Sequence, residues 1–126
     1  MWDLIRLLVN TTVFAATLRM ATPLLFTAVG GIFSEQSGVV NIGLEGMMLI
    51  GAFTAVAVSY FTGSPWIGVL GALAAGSLMG FLHGVASIKY RANQVVSGTA
   101  INIFAGGLTV YLQRLIFKMA GVSEAV

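Results

Sequence analysis

Three long apolar runs govern what this chain can fold into: residues 39–61, 66–88 and 95–117. A membrane-crossing helix needs about 20 predominantly apolar residues at about 1.5 Å of rise each, and each run meets that length. A soluble core offers no alternative home for them. The 126-residue chain is 58% hydrophobic and 8% charged, whereas soluble domains carry about a quarter charged residues. A domain this small cannot hide so much apolar surface, because its surface is large relative to its volume. The fold class that follows is all-α: a polytopic transmembrane helical bundle in one domain, since a helix satisfies its own backbone where no water is present.

The separators between the runs are local and readable. TGSP, residues 62–65, is a turn in which Gly63 permits tight geometry and Pro65 suits a first helical turn. Tyr60 and Trp66 flank it as interfacial anchors. KYRANQ, residues 89–94, is a polar loop, and SEQSG, residues 34–38, is a polar break. Upstream of that break, residues 12–33 form one more span, the first of four in chain order, in which Arg19 snorkels toward the headgroups. Residues 1–10 are then a short interfacial helix with Asp3 and Arg6 in water. A hairpin of residues 4–18 and 21–33 is the alternative, but each arm is short for a span. The N-terminus is not read as a cleaved signal, because its first charge is acidic and further spans follow.

Lys89 and Arg91 are the basic residues of the short loop between two strong spans, which points to a cytoplasmic loop. The opposite side then receives Arg6, Arg19, Arg114 and Lys118, so the raw count opposes this choice; terminal and snorkelling residues weigh less. The net charge of +2 is scattered, which argues against a nucleic-acid partner. The chain has no Cys, hence no disulfide or thiolate metal site. It has no GxxxxGK[ST] phosphate loop and no HExxH spacing, and a single His supports no nucleophile–base pair.

The polar groups inside the apolar runs are the candidate functional residues. Glu45 lies in GVVNIGLEGMMLIGAF. If the helix starts near Val39, the carboxylate is about 9 Å in from its end, where a charge costs about 2.5–3.5 kcal/mol. It would then need a packing, gating or ligand role. If the helix starts later, Glu45 sits in the first turn, favoured by the helix dipole. Asn41, four residues earlier, shares its helical face, and its amide can donate to the carboxylate. Gly43 and Gly46 would let another backbone approach. In the third span Gly68, Ala72, Gly76, Gly80 and Gly84 recur every four residues and read as a packing seam. His83, near the Lys89 end, reads as an interfacial headgroup or backbone contact rather than a proton relay. In the fourth span Gln94 is the candidate cap, and Ser97 and Thr99 bond back to helix carbonyls. Asn102, deeper in, is an interhelical bond or a translocation-path group. Gln113, Arg114 and Lys118 mark the far interface.

The order ATPLLFTAVGGIFSEQSGVVNIGLEGMMLIGAF, a second span, then KYRANQVVSGTAINIFAGGLT resembles the membrane permeases of bacterial ABC importers. The branch is the one serving branched-chain amino acids, ribose-type sugars and nucleosides. FSEQSGVVNIGLEGMMLIGA and RANQVVSGTAIN are most similar to its nucleoside and simple-sugar members. The resemblance covers roughly residues 17–117. It implies a multi-pass subunit of the bacterial plasma membrane that forms a translocation path and is not an enzyme. It also implies a second permease subunit, cytoplasmic ATPase subunits that carry the ATP, and an extracytoplasmic substrate-binding protein; this chain would hold no cofactor. The family's cytoplasmic loop corresponds to residues 89–94, and Asn41, Glu45 and Gly46 fall at its polar break. Such permeases run to about 300 residues, so the chain resembles an N-terminal portion: a truncated product, a fragment, or half of a split permease. The competing readings are a stand-alone oligomeric, proton-coupled transporter using Glu45, and a nonfunctional remnant.

Overall fold

The computed structural model describes residues 10–118. Four helices long and apolar enough to cross a membrane follow one another: α1 (Thr11–Gln36), α2 (Leu44–Thr62), α3 (Pro65–Gly84) and α4 (Gln94–Phe117). A single π-helical turn, Val85–Lys89, extends α3. The expected interfacial helix of residues 1–10 lies outside the described residues except for Asn10, which precedes α1. No strand occurs among the described residues.

The helix ends follow from local chemistry. Gly63 closes α2 with φ of 67°, and its N–H donates to the Ser59 carbonyl at 2.8 Å; a residue with a Cβ would be strained there. Pro65 opens α3 at a position whose N–H has no intrahelical partner. Asn93 opens α4, its side-chain oxygen accepting from the Val95 and Val96 amides. Asn93 therefore holds the capping position expected for Gln94. An N-cap must sit outside the helix with extended backbone, which Asn93 does and Gln94, the first helical residue, does not.

Two boundaries differ from expectation. α1 runs through the polar SEQSG stretch to Gln36, so the break starts at Ser37. α2 starts at Leu44 rather than near Val39. Gly38 turns the backbone left-handed, with φ of 83°, and the Asn41 side chain accepts from the Gly43 amide at 3.0 Å, an Asx turn that competes with helix. Residues 37–43 are consequently unwound although Val39, Val40 and Ile42 are apolar.

α2 packs most extensively on α3 and next on α4, while α1 packs sparsely, against α2. Ile50, Met79 and Ala105, one from each of α2, α3 and α4, form the core, with Met47, Ala75, Ile101 and Leu108 around it. Tyr60 lies edge-on to Phe117 at 5.2 Å, tying the far ends of α2 and α4 together. The helices alternate in direction. The unwound segment and residues 90–93 lie at one end of the bundle; the 62–65 turn and the end of α4 lie at the other. Most large apolar side chains, Phe26, Phe81 and Ile103 among them, face outward. A soluble monomer rarely exposes such a surface; a bilayer or partner helices cover it at no penalty.

Candidate functional site

The unwound segment is stitched to α3 and α4 by three side chains from later in the sequence. Gln94 accepts from the Val40 amide at 2.7 Å and donates to the Gly38 carbonyl at 3.3 Å. His83 is 2% exposed; its Nε2 lies 3.4 Å from the Val40 carbonyl and its Nδ1 lies 3.1 Å from Ser97 Oγ. A carbonyl only accepts, so Nε2 carries a proton and donates to the Val40 carbonyl, while Nδ1 shares a hydrogen bond with the Ser97 hydroxyl, which can donate or accept. Asn102 donates from Nδ2 to the Ile42 carbonyl at 3.0 Å and accepts at Oδ1 from the Gly46 amide at 2.7 Å. Only one orientation of that amide makes both bonds. From the last turn of α1, Ser34 Oγ donates to the Val39 carbonyl at 2.8 Å.

These bonds settle where backbone polarity goes when a helix stops inside an apolar chain. Asn102 is eight residues into α4, about 12 Å from its start. The start of α2 lies at the Asn102 level, about a third of the way along α4. In hydrocarbon each unpaired backbone group costs several kcal/mol, so irregular backbone survives only where protein or a watered cavity surrounds it.

Glycines bring the chains close enough for this. A Cβ on Gly46 would lie 2.9 Å from the Asn102 Cα and the Ile101 carbonyl oxygen; one on Gly98 would lie 2.8 Å from the Gly43 nitrogen. A Cβ on Gly43 would lie 3.3 Å from the Gly98 Cα. Gly98 was not among the candidates. Its signal was present, because Gly98 and Asn102 are four apart and share a face of α4.

The remaining candidates are placed as follows. Glu45 is exposed in the first turn of α2, the arrangement that corresponds to the later helix start. Asn41 lies outside the helix, so the two do not share a helical face; its amide nitrogen is 3.5 Å from Met47 Sδ rather than on the carboxylate. His83 is buried within the bundle instead of lying at a headgroup. Thr99 Oγ1 bonds back to the Val95 carbonyl at 2.8 Å, whereas Ser97 turns to His83. Along the glycine stripe of α3, Gly68 is buried with its Cβ position 2.6 Å from the Ala55 carbonyl oxygen. Gly76 and Gly80 meet only Met47, at 4.0 Å, and Gly84 meets nothing within 4 Å. Lys89 and Arg91 are exposed, Lys89 Nζ lies 5.9 Å from the Tyr90 ring centre, and Arg91 takes a positive φ of 50°. No group of three or more His, Cys, Asp or Glu among the described residues could hold a metal ion. The site offers amides, one imidazole and backbone, which suits packing and passage rather than bond-breaking.

The family model described as branched-chain amino acid transport system / permease component matches residues 13–125. The guanosine ABC transporter permease protein NupQ of Bacillus subtilis is 48% identical over 124 residues, covering 94% of this chain and 38% of that protein. The nucleoside ABC transporter permease protein NupC of Lactococcus lactis is 40% identical over 123 residues, covering 91% of this chain and 39% of that protein. A putative glucose ABC transporter permease protein, TsgC13 of Haloferax volcanii, is 38% identical over 96 residues, covering 76% of this chain and 29% of that protein. No solved structure matches. The chain spans less than two fifths of the length of these relatives. A family match across nearly the whole chain, joined to four membrane-length helices, makes this a multi-pass membrane protein of the permease-component family of branched-chain amino acid transport systems.

Proposed function

We propose that the chain forms part of the translocation path of a bacterial ABC importer for nucleosides. The observation that carries this is its 48% identity to a guanosine permease along 94% of its length. The interrupted start of α2 supports it, since transporters build their paths where a helix breaks and its freed backbone meets side chains from neighbouring helices. In this reading the stitched segment, with Asn102, His83 and Gln94, is the part of the path wall that rearranges when the importer alternates its access. Cytoplasmic ATPase subunits bind and hydrolyse ATP, a second permease subunit completes the path, and an extracytoplasmic binding protein delivers the solute. The loop at residues 90–93 faces the cytoplasm. No observation favours a stand-alone proton-coupled transporter, because Glu45 is exposed at a helix start.

The test replaces the matching region of the guanosine permease with this chain, in cells lacking the native gene. The expected result is uptake of labelled guanosine, competed by other nucleosides, together with co-purification of the ATPase subunit. A chimera that inserts and captures the ATPase but imports only free sugars would overturn the nucleoside assignment. Insertion without ATPase capture would overturn the importer assignment.

A further inference from the structure

α1 stands apart from the other three helices, and an apolar cleft of about 690 Å³ separates it from the α2–α3 pair. One wall is the α1 stripe Pro23, Phe26, Thr27 and Gly30; the opposite wall includes Gly51, Ala55, Ala72 and Gly76. Small residues in such a wall let another backbone come close. We infer that this cleft is the seat of a further membrane-spanning helix, contributed by the portion of the permease that this chain's relatives have and this chain does not span.

Two independent observations say that the occupant is a helix with a polar group, rather than lipid tails. The first is Arg19. It lies one turn from Pro23 on the cleft-facing stripe, about 12 Å along α1 from Thr11. Within the described residues it is exposed and makes no hydrogen bond or ion pair. Pro23 also has no N–H to give the Arg19 carbonyl, so the regular helical bond of this residue is missing at the same level of the bundle. A passing helix with an amide or hydroxyl at that level can accept from the guanidinium and donate to the carbonyl, and a carboxylate satisfies the guanidinium alone; an acyl chain satisfies neither. The second is length: the chain covers 38% of the guanosine permease and matches its N-terminal part. Most of that relative therefore lies elsewhere and must pack against something.

The inference rests on the permease reading, and its test separates the two. The chain, with Phe26→p-benzoyl-phenylalanine, is co-expressed in bacterial membranes with the tagged remainder of the guanosine permease and irradiated. The control probe replaces Leu25, on the opposite face of α1. The expected result is a crosslink to the remainder from position 26, several-fold above that from position 25. Crosslinks from position 26 to lipid only, or to a second copy of this chain, overturn the cleft assignment while the remainder still co-purifies. If the unsubstituted pair does not co-purify, the permease reading itself fails and the cleft with it. A second arm uses R19M and R19K at equal membrane levels. R19M lowers recovery of the remainder about fivefold and R19K restores it; equal recovery with both removes the polar match from the inference.

Discussion

Glycines at two junctions of this bundle look alike in sequence and differ in what they do. At the α2–α4 junction Gly46 and Gly98 face backbone at distances that leave no room for a methyl group, and Gly43 at a distance that leaves little. Along the lower part of α3, Gly76 and Gly80 face only the flexible end and carbonyl of Met47, with room to spare. A recurring small residue thus marks a possible seam, and the partner on the other side decides whether it is one. Where the partner is backbone carrying its own hydrogen bonds, the glycine is obligatory. Where the partner is a methionine beside a cleft, the glycine keeps space open.

Substitutions sharpen this contrast, and the largest effect belongs to the tight junction. Gly46→Ala places a methyl against Asn102 and Ile101, with an expected loss of about 1–3 kcal/mol. Unfolding in mixed micelles by denaturant should show it, and an unchanged midpoint would erase the distinction between the two junctions. Asn102→Ala comes next. It strands the Ile42 carbonyl and the Gly46 amide, with an expected loss of about 1–2 kcal/mol by the same measurement. Gln94→Ala removes two bonds nearer the exposed end of the bundle, where water can substitute, and should lose less, about 0.5–1 kcal/mol. Gly76→Ala and Gly80→Ala should fall within about 0.5 kcal/mol of the parent; a large loss there would show that α3 packs more tightly than its distances indicate. The smallest effect is expected for Glu45→Gln. It removes only a solvent-screened first-turn dipole contribution of about 0.3 kcal/mol, and uptake by the completed permease should stay near the parent level.

The four spans were legible because hydropathy over about 20 residues is a long, redundant signal. The 62–65 turn was legible because Gly63 and Pro65 each permit something most residues do not. The start of α2 was open, since apolar Val39, Val40 and Ile42 continue the run while Gly38 and Asn41 bend the backbone beneath it. Hydropathy reports what side chains tolerate, not which dihedral angles the backbone takes. The stitching was hidden for a different reason: Gln94, His83 and Asn102 reach back across more than 40 residues. Asn102 was readable as a residue needing a partner, but nothing local says that the partner is the Ile42 carbonyl. His83 read as a headgroup or backbone contact by its position near Lys89; it makes the backbone contact, to the Val40 carbonyl, and the packing of α4 over it places it inside.

The reach of those bonds also sets an order of birth. Val40 and its partner Gln94 are 54 residues apart, so at about 5–20 residues per second the segment waits roughly 3–11 s on the ribosome before Gln94 is even made. During that interval its amides and carbonyls need water, the insertion machinery or a chaperoning helix. A nascent chain paused after α3 would therefore hold α2 at the edge of the bilayer, and synthesis of α4 would be the event that draws it in.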